Sequence, residues 1–331
     1  TLDTDRLADL AIALREAGVV EVEGKFLVWA DALPQTDRID GEQPEHVSYN
    51  PAVGGLNLNF IRVHFEWKRV QDDKYSTTMQ ARARRFRPST RVASMAIVDR
   101  KSPVFDHWTN GLQDHWSVAK RALGNEGARW LPVRYPAEYA GDVFRTLARS
   151  NGIVLSPPAV IGALPKGTVV ASVESEELVP LLHDMLKYST NLTADEVGLS
   201  ASHASGPPTS SIAQSGIRMS SAMMADYRVE RVNFKDHSGL GYGSTIAPVD
   251  MVRILSANGQ VAPLLKKVNL SLDKARPAPE GVLVRAKTGT LNFVSTLAGF
   301  VSVPGGRDLA FAIFTGDTAR RDAIPPEQRE R

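Results

Sequence analysis

A chain of 331 residues is too long for one comfortable core, so two or more domains are expected. Its composition, 43% apolar and 23% charged, is ordinary for a globular protein, and no run of about eighteen apolar residues offers a membrane-spanning helix. The absence of cysteine removes disulfides, thiolate catalysis and cysteine metal sites, and a formal net charge of +2 is too small to argue for nucleic acid as a partner.

The first residues, TLDTDRLADLAIALREAG, predict an amphipathic helix with Leu7, Leu10, Ala11 and Leu14 on one face and Gly18 placed to stop it. A chain that opens inside structure is expected to be processed or part of a longer one, so the lack of a leader says little about compartment. A strand-like run, VVEVEGKFLVWAD, is broken at Gly24, and a Pro/Asp-rich loop, DALPQTDRIDGEQPEH, follows. Alternation in LNLNFIRVHFEWKRV, KYSTTMQARA and VASMAIVD predicts further strands. RARRFRPSTR, residues 82–91, carries five arginines. Blocks of like charge usually form a solvated face or edge strand, and the alternative is a surface attracted to an acidic polymer. No aromatic interleaving supports base stacking there.

From about residue 108 the pattern turns helical, including PAEYAGDVFRTLARSNG, which Asn151-Gly152 should close. LSPPAVIGALPKG reads as a connection, and a domain boundary is expected near 155, giving units 1–155 and 156–331. In SEELVPLLHDMLKYS, Ser175 is the expected N-cap, with Glu176 and Glu177 at the positive helix end. Leu178, Leu181, Leu182, Met185 and Leu186 should bury one face of that helix. Then come a helix around SGIRMSSAMMADYRV, a short strand RVNFKD, a glycine-rich turn HSGLGYG and a helix started by Pro248. VSTLAGFVSV and LAFAIFTG, joined by PGGRD, predict a hairpin central in a covered antiparallel sheet.

The residues that could carry chemistry begin with RAKTGTLN, in which Lys287-Thr288-Gly289 ends a strand-like run. Ser-x-Asn occurs at Ser48/Asn50, Ser189/Asn191 and Ser256/Asn258, and Ser-x-x-Lys at Ser117/Lys120 and Ser271/Lys274. Such short motifs mean little singly. Context favours Ser189-Thr190-Asn191, which lies where a helix should end, although both side chains could merely cap the next helix. His107, His115, His183 and His203 show no metal-ligand spacing, so neither a metal nor a cofactor is expected. In DHSGLG, Asp236 and His237 invite attention, but the glycines suggest a backbone role and Ser238 should bond locally.

In this order LKYSTNLTAD, DHSGLG followed by IAPVDMVRIL, AKTGTLN and LAGFVSVPGGRDLAFAIFTG resemble the DacB-type D-alanyl-D-alanine carboxypeptidases and endopeptidases, the low-molecular-mass class C penicillin-binding proteins. Upstream, LREAGVVEVEGKFLV and WLPVRYPAEYAGDVF are similar to pieces of that family's inserted domains. The resemblance covers nearly the whole chain. It implies an α/β (α+β) fold: a penicillin-binding-protein or serine β-lactamase-like transpeptidase domain with an antiparallel sheet and flanking helices in 156–331, and β-rich inserted domains in 1–155.

The resemblance also implies roles. Ser189, Asn191 and Lys287 would be catalytic and would converge in one cleft, with Thr288, Gly289 and Thr290 binding substrate. Ser189 would relay a proton to the leaving D-alanine nitrogen, Asn191 would hold the peptide backbone, and Lys287 would supply positive charge. The two threonines would hold the terminal carboxylate, and the Thr290 N–H would serve the oxyanion hole. The family's nucleophile, in Ser-x-x-Lys, stands N-terminal to the inserted domains, where neither Ser117 nor Ser271 lies. The serine is therefore expected upstream of this chain, and both ends are expected to be cropped. Implied partners are peptidoglycan stem peptides, with β-lactams as inhibitors, in the periplasm and with at most peripheral membrane contact. A non-catalytic peptidoglycan-binding relative, or a β-lactamase or esterase on the same fold, remains the alternative.

Overall fold

Asp3 caps helix α1 (Thr4–Glu16), its carboxylate accepting the Arg6 N–H at 2.8 Å, and Gly18, at φ +89°, stands just past the end. Of the face that the spacing predicts, Leu7 and Ala11 are buried and Leu10 and Leu14 half-buried, with Thr4 and Ala8 completing the buried side. The computed structural model describes residues 2–72, 74–270 and 279–325, and the chain divides into two compact units, Thr1–Glu176 and Glu177–Arg331.

In the first unit α1 is followed by β1 (Phe26–Trp29), β2 (Arg62–Gln71), β3 (Lys74–Gln80), β4 (Ala93–Val98), β5 (Phe105–Thr109), β6 (Asp114–Ala119), β7 (Glu126–Pro132), α2 (Pro136–Ser150) and β8 (Pro158–Ile161). They form three small sheets. β1 pairs in parallel with β8; β2 lies between β3 and β7, antiparallel to both; β6 lies between β4, its parallel partner, and β5, its antiparallel one. Because β8 pairs with β1, the segment just beyond residue 155 lies within the first unit, which runs to Glu176.

The helical pattern expected from residue 108 does not begin until Pro136. Residues 105–132 hold β5, β6 and β7, with one 3-10 turn at Lys120–Ala122. The reason is a period of two: Asp114, Trp116 and Val118 point inward and are exposed by 1% at most. Asp114 is satisfied there, Oδ1 meeting His107 Nε2 at 2.7 Å and Oδ2 accepting the Arg134 N–H at 2.9 Å. Arg134 in turn donates to the carbonyls of Asp37, Asn50 and Glu45 at 2.7–3.0 Å, which ties the Pro/Asp-rich loop to the unit.

The second unit runs α3 (Leu178–Tyr188), α4 (Asn191–Ala204), α5 (Ile212–Tyr227), β9 (Val232–Asn233), β10 (Thr245–Ile246), α6 (Pro248–Ala257), β11 (Lys266–Val268), β12 (Leu283–Leu291), β13 (Val294–Ser302), β14 (Leu309–Gly316) and α7 (Thr318–Asp322). β11 to β14 make an antiparallel sheet in chain order, β9 and β10 pair separately, and α6 packs on β14. Ser211 caps α5, its hydroxyl accepting the Gln214 N–H, and Pro248 opens α6 as its sequence predicts. None of the described helices is long and apolar enough to cross a membrane.

Three expectations change here. Glu177, not Ser175, is the N-cap of α3; the Ser175 hydroxyl instead donates to the Glu176 carbonyl. No residue of α3 is buried, and Leu178 and Val179 are 57% and 62% exposed. Periodicity reports that a helix has an apolar side but not what covers it. Likewise β14 stands at the edge of the sheet among the described residues, with Ile313 57% exposed, rather than in a covered centre.

The sheet admits β12 against β13 through a glycine. A Cβ on Gly299 would lie 2.0 Å from the Arg285 carbonyl oxygen and 2.6 Å from Ala286 Cα, both backbone atoms. Gly299→Ala is therefore expected to cost about 3 kcal/mol and lower Tm by about 10 °C in a thermal melt. Gly259→Ala, where an added Cβ meets nothing within 4 Å, should change it little.

Candidate active site

Helix α3 ends on a residue in an unusual conformation. Ser189 has φ 55° and ψ 52°, the left-handed region, and is not a glycine. That costs about 1–2 kcal/mol, which the Thr190 N–H partly offsets by closing on the Met185 carbonyl at 3.2 Å. Thr190 is the N-cap of α4 and makes no side-chain cap bond, so neither Ser189 nor Asn191 serves as the cap. Asn191 is the first residue of α4.

Lys287 lies in β12, opposite Ala298 of β13. Its Nζ donates to Ser189 Oγ at 2.6 Å, joining positions 98 residues apart, and to the Thr288 carbonyl at 2.5 Å. Lys287 is half-buried, and burial pushes its pKa below the ordinary lysine value. Gly289 shares its face of the strand, and a Cβ there would come 2.4 Å from Thr296 Oγ1. Thr288 and Thr290 are exposed. The ladder from β12 to β11 ends at Ala286, so among the described residues β12 has no strand partner on that side from Lys287 onward. An open edge of this kind can take an extended peptide as an added strand.

The other side of the site is α4, and a clasp that the sequence barely hints at holds it. His237 donates its N–H to Asp195 Oδ1 at 2.9 Å, one helical turn beyond Asn191. Its Nε2 lies 2.7 Å from Ser215 Oγ on α5, which also touches Ser202 Oγ of α4 at 2.5 Å. The ring fills a notch at Gly198, where a Cβ would fall 2.0 Å from its Cγ. Asp236 binds its own turn, accepting the N–H groups of Gly239 and Gly241 and the Ser238 hydroxyl, so Ser238 bonds locally. The DHSGLG glycines pointed to this turn; Asp195, Gly198 and Ser215 gave no signal, because a notch and its filler are 39 residues apart.

The remaining candidates are placed elsewhere. Ser117 sits mid-strand in β6 with its hydroxyl taken by Arg100 Nη1 at 2.7 Å, and Lys120 is in the 3-10 turn beyond. Ser271 and Lys274 lie outside the described residues. Asn50 is fully buried and accepts the N–H groups of Ile39 and Asp40, and Asn258 ends α6.

Comparison with known proteins adds the family. A family model described as D-Ala-D-Ala carboxypeptidase 3 (S13) matches residues 1–329. Carboxypeptidase DacB of Mycolicibacterium smegmatis is 25% identical over 215 residues, covering 58% of this chain and 46% of its own length. A D-alanyl-D-alanine carboxypeptidase of Actinomadura sp. strain R39 is 30% identical over 203 residues, 55% of this chain and 37% of its own. The chain thus spans less than half the length of these two curated relatives. The crystal structure of penicillin binding protein 4 (dacB) from Haemophilus influenzae matches 95% of this chain and 73% of its own with a TM-score of 0.72, at 17% identity. A second structure of that protein, complexed with a β-lactam, matches with a TM-score of 0.70. The mixed helices and sheets are those of this penicillin-binding-protein fold.

Asp195 supplies a test of the clasp. It is fully buried, and burial first, with the charge of Asp236 second, raises its pKa to about 7. Below about pH 4 both folded and unfolded states hold the proton. Between about 4 and 7 the unfolded state loses it first, so stability falls with rising pH by a few kcal/mol and levels off above 7. In melts across this range Asp195→Asn should remove that slope.

Proposed function

This chain belongs to the D-Ala-D-Ala carboxypeptidase 3 (S13) family, and on that premise we propose that it is part of a serine D-Ala-D-Ala carboxypeptidase/endopeptidase. It acts on peptidoglycan stem peptides through an acyl-enzyme, in the periplasm, and is inhibited by β-lactams. The observation that carries this reading is the 2.6 Å contact between Lys287 Nζ and Ser189 Oγ, which brings the Ser-x-Asn and Lys-Thr-Gly segments to one point.

The chemistry follows from what these groups can do. A nucleophilic serine attacks the carbonyl of the penultimate D-alanine, its proton passing to a neighbouring base. The C–N bond breaks, and Ser189, whose hydroxyl both donates and accepts, passes a proton to the departing nitrogen. Lys287, donating to Ser189, keeps that hydroxyl's lone pair and proton oriented, and its charge attracts the terminal carboxylate. Thr288 and Thr290 offer hydroxyls to the same carboxylate. Asn191 holds the peptide backbone of the acyl donor, which lies along the open edge of β12. The Thr290 N–H stabilises the oxyanion, a contribution of about 10²–10³ in rate. Water then attacks the ester and releases the shortened peptide. Ser117 is not the nucleophile in this scheme, since Arg100 holds its hydroxyl.

The test is intact mass, then peptide mapping, of the protein expressed from its whole gene, before and after incubation with benzylpenicillin. One adduct per molecule on a serine of a Ser-x-x-Lys sequence, formed about 10²–10³ times more slowly in Ser189→Gly, is expected. Glycine suits the left-handed position, so that variant should keep or raise Tm. An adduct on Ser117 would overturn the assignment of the nucleophile. No adduct at all would mean a relative that binds cell-wall peptide without cutting it.

A further inference from the structure

The sheet of β4, β6 and β5 has a second face. Asp114, Trp116 and Val118 of β6 point into the core of the first unit, so by the period of two His115 and Ser117 stand on the opposite side. His115 has Ser94 of β4 as its register partner on one flank and Trp108 of β5 on the other. The Trp108 and His115 rings stack, with centroids 3.9 Å apart and planes 15° apart, and Ser94 Oγ lies 2.9 Å from His115 Nδ1. Three neighbouring strands thus hold a hydroxyl, an imidazole and an indole in one row.

Stability alone does not account for this row. Trp108 is 57% exposed although one face of its ring lies on the imidazole, so its other face is turned to solvent. His115 Nε2 is shielded from water with no hydrogen-bond partner among the described residues, which is a cost to the folded chain. What the stack gains is an ordered platform: the imidazole fixes the plane of the indole, and the Ser94 hydroxyl holds the imidazole. The next row along the same face is Ser117 and, opposite it, Asp106. Arg100 lies across both, donating from Nη1 to Ser117 Oγ at 2.7 Å, from Nη2 to the Ser117 carbonyl at 3.0 Å and from Nε to the Pro103 carbonyl at 2.6 Å. Asp106 Oδ2 is 3.5 Å from Arg100 Nη1, so the two charges oppose each other and the face holds no excess of positive charge.

We propose that this face binds an uncharged polysaccharide, one pyranose ring lying on the open side of Trp108. The flat side of a pyranose presents C–H bonds to the negative face of the indole, while its equatorial hydroxyls reach polar groups at the rim, here Ser94 and Asp106. A nucleobase would stack as well, but its phosphates need cations that this face has already committed. That the polysaccharide is the glycan strand carrying the stem peptides rests on the function proposed above; that the face takes pyranose rings does not.

The test is tryptophan fluorescence and calorimetric titration of the protein expressed from its whole gene with chitohexaose, a β-linked hexamer of N-acetylglucosamine. Saturable binding is expected, nearly indifferent to salt because no charge is neutralised. Trp108→Ala should weaken it about tenfold or more and Ser94→Ala about threefold, while Val70→Ala, at an exposed apolar residue of β2, should bind as the parent does. Ser94 is exposed, so its variant keeps the test open if Trp108→Ala fails to fold. No saturable binding, or binding indifferent to both residues, would overturn the proposal. So would equal or tighter binding of an oligothymidylate or a polyproline peptide. With the acyl site blocked by benzylpenicillin, sedimentation with purified peptidoglycan sacculi should still occur and should fall in Trp108→Ala; retention on cellulose but not on sacculi would overturn the glycan strand as the source. Trp108→Ala should form the penicillin adduct at the parent's rate, so a failure of this inference is distinct from a failure of the acyl-transfer reading.

Discussion

A lysine ammonium drawn half out of water must find acceptors, and at this site Ser189 Oγ and the Thr288 carbonyl take its bonds. The first of those acceptors is available only because Ser189 occupies a left-handed conformation that a serine ordinarily avoids. The contact therefore couples a strained helix end to a strand nearly a hundred residues later. If either element shifts by an ångström, the pairing of hydroxyl and ammonium is lost, and with it the geometry on which proton transfer depends.

Both elements are fixed by close approach rather than by bulk burial. On the strand side, Gly299 lets β13 press against Ala286, and Gly289 makes room for the Thr296 hydroxyl. On the helix side, Gly198 receives the His237 ring, Ser215 meets its Nε2, and Asp195 accepts the His237 backbone N–H. Glycine does the same job three times: it lets one segment come nearer to another than any Cβ would permit. Cores tolerate exchange of apolar residues more readily than such contacts tolerate an added methyl.

Much of this was legible in the chain's letters. α1, α2, α5 and α6 lie where caps, prolines and spacing predict, because those signals act within a few residues. The strands at 105–132 read as helical in the sequence because the period of two that buries Trp116 and Val118 is short and its inward face includes the charged Asp114. The exposure of α3 and β14 was illegible for a different reason: an amphipathic pattern names a face but not its cover. Of the site, the Lys-Thr-Gly and Ser-x-Asn segments were visible as residue types at a spacing. The clasp around His237 was not, since it arises from packing between segments distant in the chain.

The central claim is that Lys287 and Ser189 act as one unit, and the most direct measurement is the titration of Lys287 followed by nitrogen-15 NMR of its ammonium group. The account predicts a pKa below that of an ordinary lysine, as burial demands, with a clear change when Ser189 is replaced by glycine. A Lys287 that titrates like a free lysine and ignores Ser189 would contradict it.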